Sequence, residues 1–321
     1  MSRSAINSGR VKRRWRFPAP LWPTAHRWLL FFTLPLALSP LAPAQDQDEE
    51  TIRINSDLVV LNLTVTNVKG AYIHGLKRTD FRVFEDGVEQ KISSFSFEET
   101  PFAAAILIDT SGSMEGRETL ARSAAIRFLD GLRGDDAAAV YRFDSEIERV
   151  QDFSSTRDLA PIVYNLRAHG MTALNDAIVR AAQDLAQRPE KRRAIIILSD
   201  GADTHSRASA EEALNAALGA QATIYAVDMA ALDRPSPERQ IAAGALRNFA
   251  NKTGGRYIST PGGQALRDAF ASIVEELSNQ YTLTYQPSNR ARDGRWRTIE
   301  VKVSRADATV RTRRGYRVPK S

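Results

Sequence analysis

The 321-residue sequence contains no cysteine. That excludes disulfides, a thiolate metal site and a lipid anchor attached through cysteine. Histidine is scarce, and His74, His169 and His205 fall in a β turn and two loops without metal-ligand spacing to one another. There is neither a G-x-S-x-G serine elbow nor a G-x-x-x-x-G-K-[ST] phosphate loop. The most apolar stretch, residues 28–38, is too short to span a bilayer, so no stable membrane anchor is expected. Acidic residues are missing from residues 1–44, which carry seven Lys or Arg. The formal charge of +6 belongs to that leader, and without it the chain stands at −1. The high isoelectric point is therefore no sign of a nucleic-acid partner.

What is present begins with an export signal. Basic residues precede "WLLFFTLPLALSPLAPA", which ends in the small-x-small pattern Ala42-Pro43-Ala44. Residues 1–44 are predicted to be a signal peptide of an exported, periplasmic or secreted protein, followed by an acidic spacer over 45–50 ("QDQDEE"). Over 51–100 the period is two, with Val59, Leu61, Leu63 and Val65 on one face of "LVVLNLTVTN". Asp86-Gly87 between two strand-like runs marks a hairpin.

From 101 to 278 the pattern becomes an alternation of buried strands ("AAAILI", "AAAVYRF", "AIIILS", "ATIYAVD") with amphipathic helices. This predicts an α/β domain: a doubly wound, mainly parallel sheet with helices on both faces. Over 279–321 the period returns to two, with Trp296, Ile299, Val301 and Val303 as apolar marks and "DATVRTRRGYRVP" as one further strand. The two β segments are each too small to bury much alone. They are expected to pair into one β-rich unit, with the α/β domain inserted between its halves.

Ligands of open α/β sheets gather at the carboxyl ends of strands. Asp109 ends one buried run, followed by Ser111 and Ser113; Asp200 ends another; Thr172 lies in a loop before a helix. Two carboxylates and three hydroxyls form an oxygen donor set of the kind that hard divalent cations prefer. Hydroxyl ligands leave the cation positive enough to favour one more anionic ligand from outside. Singly, Ser113 and Thr172 also suit helix N-caps. Asp203 reads as a solvated loop acid, Asp228 as structural, and "RTRRGYR" as a solvated strand face.

The stretch Asp109-Thr110-Ser111-Gly112-Ser113, with Thr172 and Asp200 in the same order, resembles the D-x-S-x-S metal-ion-dependent adhesion site of von Willebrand factor type A domains. The resemblance covers about 101–278. It implies a six-stranded sheet with one antiparallel edge strand near "IERVQDF". It also implies direct metal ligation by Ser111, Ser113 and Thr172, with Asp109 and Asp200 acting largely through water. The cation expected is Mg²⁺, with Mn²⁺ or Ca²⁺ as alternatives. The flanks resemble those of exported bacterial proteins of this superfamily, especially acidobacterial ones. The expected role is a non-enzymatic binding module whose metal is completed by an Asp or Glu of a partner protein. The alternatives are a metal-dependent hydrolase or phosphoryl-transfer enzyme using Asp109, or a scaffold with an unused site. Phosphoryl transfer to Asp109 would want a second carboxylate where Ser111 stands.

Overall fold

The computed structural model describes residues 58–97, 100–161, 163, 166–200, 202–229, 236–260 and 262–320. The leader and the acidic spacer lie outside them.

Four strands open the described chain: β1 (Val59–Asn67), β2 (Phe81–Glu85), β3 (Val88–Gln90) and β4 (Ile92–Ser96). Asp86 and Gly87 join β2 to β3 with φ of 48° and 81°. Two successive positive φ values define the tight hairpin turn whose twist matches its flanking strands. The α/β domain follows as β5 (Phe102–Asp109), α1 (Glu118–Asp130), β6 (Ala137–Phe143), β7 (Ile147–Ser154), α2 (Leu174–Ala186), β8 (Arg192–Ser199), α3 (Ala210–Gly219), β9 (Ala222–Asp228), α4 (Pro237–Thr253), β10 (Tyr257–Ser259) and α5 (Gly263–Ser278). The chain then returns through β11 (Tyr281–Tyr285), β12 (Trp296–Val303), β13 (Ala308–Arg311) and β14 (Gly315–Arg317).

The central sheet has six strands in the order β10-β9-β8-β5-β6-β7. All neighbours are parallel except the edge strand β7, which contains the "IERVQDF" stretch and runs antiparallel to β6. Every residue of β5 is buried, because helices cover both faces. Ala104, Ile106 and Ile108 pack with α1 and α5 on one side. Ala103, Ala105 and Leu107 pack with α2, α3 and α4 on the other. The small alanines let the helices approach closely, and α4 ends as a helix should, on Gly254 with φ 83°.

The flanking segments make two four-stranded antiparallel sheets, β13-β1-β11-β4 and β14-β12-β2-β3. Each mixes strands from both sides of the inserted domain. Val59, Leu61, Leu63 and Val65 meet Phe81, Val83, Tyr281 and Ile299 in their shared core. The other face of β1 is covered too: the Thr64 hydroxyl donates to Glu276 of α5. Trp296 also turns away from this core and packs on the α/β domain, while its neighbour Arg297 is buried.

The C-terminal run departs from the single solvated strand predicted from its alternation. It divides into β13 and β14, which belong to different sheets. Arg311 turns inward to Glu276 at 2.7 Å, and Arg313 is buried against the carbonyl of Leu218. Of the four arginines in the run, only Arg314 and Arg317 are exposed.

Where the inserted domain joins the β unit, Arg192 is fully buried. Its guanidinium donates to the carbonyls of Phe97, Thr100, Leu277 and Gln280 and to the Thr282 hydroxyl. These acceptors lie on both the incoming and the outgoing chain of the insertion. Burial lowers the Arg192 pKa to about 10.

Candidate metal centre

Strand order in the sheet reverses at β5: β6 lies on one side of it and β8 on the other, all three parallel. The carboxyl ends of β5 and β8 therefore bound the crevice where such folds collect ligands. Asp109 is the last residue of β5, and Ser199-Asp200 closes β8 beside it.

Asp109 is 2% exposed, and both of its carboxylate oxygens are held. Oδ1 accepts the Ser111 amide at 2.8 Å and Oδ2 accepts the Ser199 hydroxyl at 2.5 Å. The first bond bends the chain out of the strand and points Ser111 and Ser113 the same way, their hydroxyls 3.1 Å apart. Burial pushes the Asp109 carboxyl up to about 6, and the charge of Asp200 adds to the rise against the bonds from Ser111 and Ser199.

Backbone bonds lace the neighbouring loops to this turn. The Gly112 amide donates to Gly170 O at 3.2 Å and the His169 amide to Thr110 O at 2.8 Å. Gly170 adopts φ +72°, and a Cβ there would lie 2.8 Å from Ser145 Oγ, so both conformation and space favour glycine. Two residues later Thr172 is buried, its amide held by Thr204 Oγ1 and its carbonyl by the amides of Thr204 and His205. On the other side the Thr110 hydroxyl donates to Asp144, whose carbonyl takes the Ala173 amide. The structure thus places Asp109, Ser111, Ser113, Thr172 and Asp200 on the three loops that meet at one rim.

The helix-cap alternative does not match the geometry. α1 starts at Glu118 with Arg117 at its N-cap, and α2 starts at Leu174 with Ala173 there, neither using a side-chain cap. The hydroxyls of Ser113 and Thr172 remain available for other work. Asp203, although exposed, is engaged with the Asn175 amide and the Ser206 hydroxyl at the start of α2. Asp228 accepts from Tyr257 and is buried. His169 is 65% exposed with Nδ1 3.6 Å from Asp144. Sequence reasoning marked Asp144 only as an acid near a strand end and passed over Ser199, Thr204 and Gly170. Of these three, only Ser199, the last residue of "AIIILS" and next to Asp200, carried any local signal.

A divalent cation fits this donor set. Every candidate ligand atom is oxygen, two of the groups are acids, and no basic side chain among the described residues forms an ion pair with either. Residues 104–202, within the α/β portion of the chain, match the von Willebrand factor type A domain family. Over 111 residues the chain is 32% identical to the uncharacterized protein sll0103 of Synechocystis. That match takes in 33% of this chain and 26% of the Synechocystis protein, so it spans about a quarter of the relative's length.

Among solved structures, a von Willebrand factor type A protein of Catenulispora acidiphila is 13% identical with a TM-score of 0.46, covering 77% of this chain and 76% of that one. The corresponding domain of the type V pilus tip protein Mfa5 of Porphyromonas gingivalis is 16% identical with a TM-score of 0.44. It covers 55% of this chain and 94% of the other. The PilB minor pilin of Streptococcus sanguinis is 15% identical with a TM-score of 0.45, covering 56% of this chain and 62% of the pilin.

Proposed function

We propose that the chain is an exported, non-enzymatic, metal-dependent binding module that captures an acidic side chain of a partner protein. Ser111, Ser113 and Thr172 would hold Mg²⁺ (or Mn²⁺ or Ca²⁺) directly, with Asp109 and Asp200 acting largely through water. The cation would supply the positive charge that two neighbouring acids lack, and its remaining coordination place would take the partner's Asp or Glu. The observation that carries this reading is the lacing of the Asp109 turn to the Gly170 loop and to Ser199, with two hydroxyls left free of capping duty.

A binding role is favoured over catalysis because both oxygens of Asp109 are occupied by donors and the described rim offers no serine elbow or paired histidines. Export rests on the leader sequence. Among the described residues no helix is long and apolar enough to cross a membrane. The test is thermal unfolding with and without Mg²⁺ or Mn²⁺. At a hundredfold excess over Kd a bound cation adds about 2.7 kcal/mol, and Asp109→Ala should remove that gain while the domain still folds. Retained metal stabilisation in that variant overturns the assignment. A pull-down with and without chelator then separates metal-dependent partners from the rest.

A further inference from the structure

A large cavity lies at the opposite end of the central sheet from Asp109. It is formed between the end of α3, the start of β1, the segment after β11 and the chain around β14, with a volume of about 910 Å³. That places it in the upper range of small-ligand sites, which run from roughly 300 to 1,000 Å³. Arg290, Arg292, Arg313, Arg317 and Lys320 line it, and the described lining contains no aspartate or glutamate. Glu211 is paired with Arg317 and Asp293 with Arg297, while Glu85 takes the Tyr285 and Tyr316 hydroxyls on one oxygen and keeps its other oxygen unpartnered among the described residues.

Arg313 sharpens the imbalance. It is 8% exposed and sits over the Tyr316 ring, and its Nε has no hydrogen-bond partner among the described residues. Burial lowers its pKa, and the charge of Glu85 opposes that fall, though no ion pair or hydrogen bond joins the two among the described residues. Arg290 and Lys320 form no ion pair among the described residues. A buried guanidinium without a carboxylate is costly unless an anion reaches it.

The remaining lining identifies the kind of anion. Asn215, Gln221, Gln286 and Asn289 contribute amides that can both donate and accept, the pairing a polyhydroxylated ligand needs. Tyr316 adds an aromatic ring. β14, the outer strand here, packs against α3, which leaves an extended peptide little room to add along it. We propose that this cavity binds an acidic oligosaccharide, its carboxylates on Arg290, Arg313 and Lys320 and its hydroxyls on the four amides.

The experiment is calorimetric titration of the exported chain with a galacturonate hexamer. EDTA is present throughout, so that no cation at Asp109 recruits the carboxylates. Saturable binding is expected, weakening about tenfold or more as salt rises from low to molar concentration. The paired change Arg290→Glu and Lys320→Glu alters two exposed side chains and should cost at least about tenfold in affinity without moving Tm. Asp109→Ala should leave the titration unchanged. Absence of binding, equal binding of a neutral glucose hexamer, or full affinity in the double variant would each overturn the proposal. Tighter binding of a glutamate hexapeptide would overturn it in favour of an acidic peptide.

Discussion

Two buried acids of the same domain are compensated in opposite ways. Glu276, 1% exposed on α5, takes Arg256 at 3.0 Å, Arg311 at 2.7 Å and the hydroxyls of Thr64 and Tyr225. Its charge is neutralised by the chain itself, and its partners come from both the α/β domain and the β unit. Asp109, equally buried, has only an amide and a hydroxyl, and its acidic neighbour Asp200 raises its pKa. A carboxylate with two arginines holds a fold together. A carboxylate that a second acid approaches, with no arginine to answer, is arranged for something that arrives from outside.

The contrast can be broken most forcefully at Glu276. Glu276→Ala strands two arginines in the interior and should cost about 3–5 kcal/mol by denaturant unfolding, while the Mg²⁺ dependence of Tm persists. Loss of that dependence in the folded variant would mean that the two acids are not separate in role. Arg192→Met tests a third buried charge, one whose hydrogen bonds all go to carbonyls and a hydroxyl, with Asp136 acting only at a distance. It should lose about 2–3 kcal/mol, and metal should not restore it.

The pH dependence sharpens the comparison on the Asp109 side. Its folded pKa of about 6 stands above the 3.8 of a free aspartate, so the metal-free folded chain binds a proton more tightly than the unfolded chain. Stability of the metal-free protein should therefore rise as pH falls from 7 through 6 toward 4, by roughly 1.5–3 kcal/mol from this group. Asp109→Asn should flatten that part of the profile, and an unchanged slope would remove Asp109 as its source. The smallest effect is expected at Gly170→Ala, about 1 kcal/mol from the positive φ and the Ser145 contact, together with a higher Mg²⁺ midpoint as the loop shifts against Gly112.

The alternation of buried strands with amphipathic helices was legible because each signal is local: β5, β6, β8 and β9 are all present, as are the five helices. The β2–β3 turn was equally plain, since Asp-Gly has few other conformational uses. β10, with three residues, is too short to show a period. The C-terminal arginines were misread because their partners are remote: Glu276 for Arg311, and Leu218, 95 residues away, for Arg313. Alternation says which side chains share a face, not whether that face meets water. At the rim the same limit holds. The Asp109 turn is compact in sequence and could be read directly, whereas Ser199, Gly170 and Thr204 act through bonds that only the folded loops create.

The placement of Arg192 has a mechanical meaning. Tension drawn between residues 58 and 320 enters and leaves through the β sheets, and the metal rim stays outside its path. Under the proposed function, tension applied at the rim by a partner travels down the α/β domain toward the two chain crossings, and one guanidinium grips both. That side chain is one rivet, beside the Glu276–Arg311 pair and the Arg313–Leu218 bond, through which such a tug reaches the β unit.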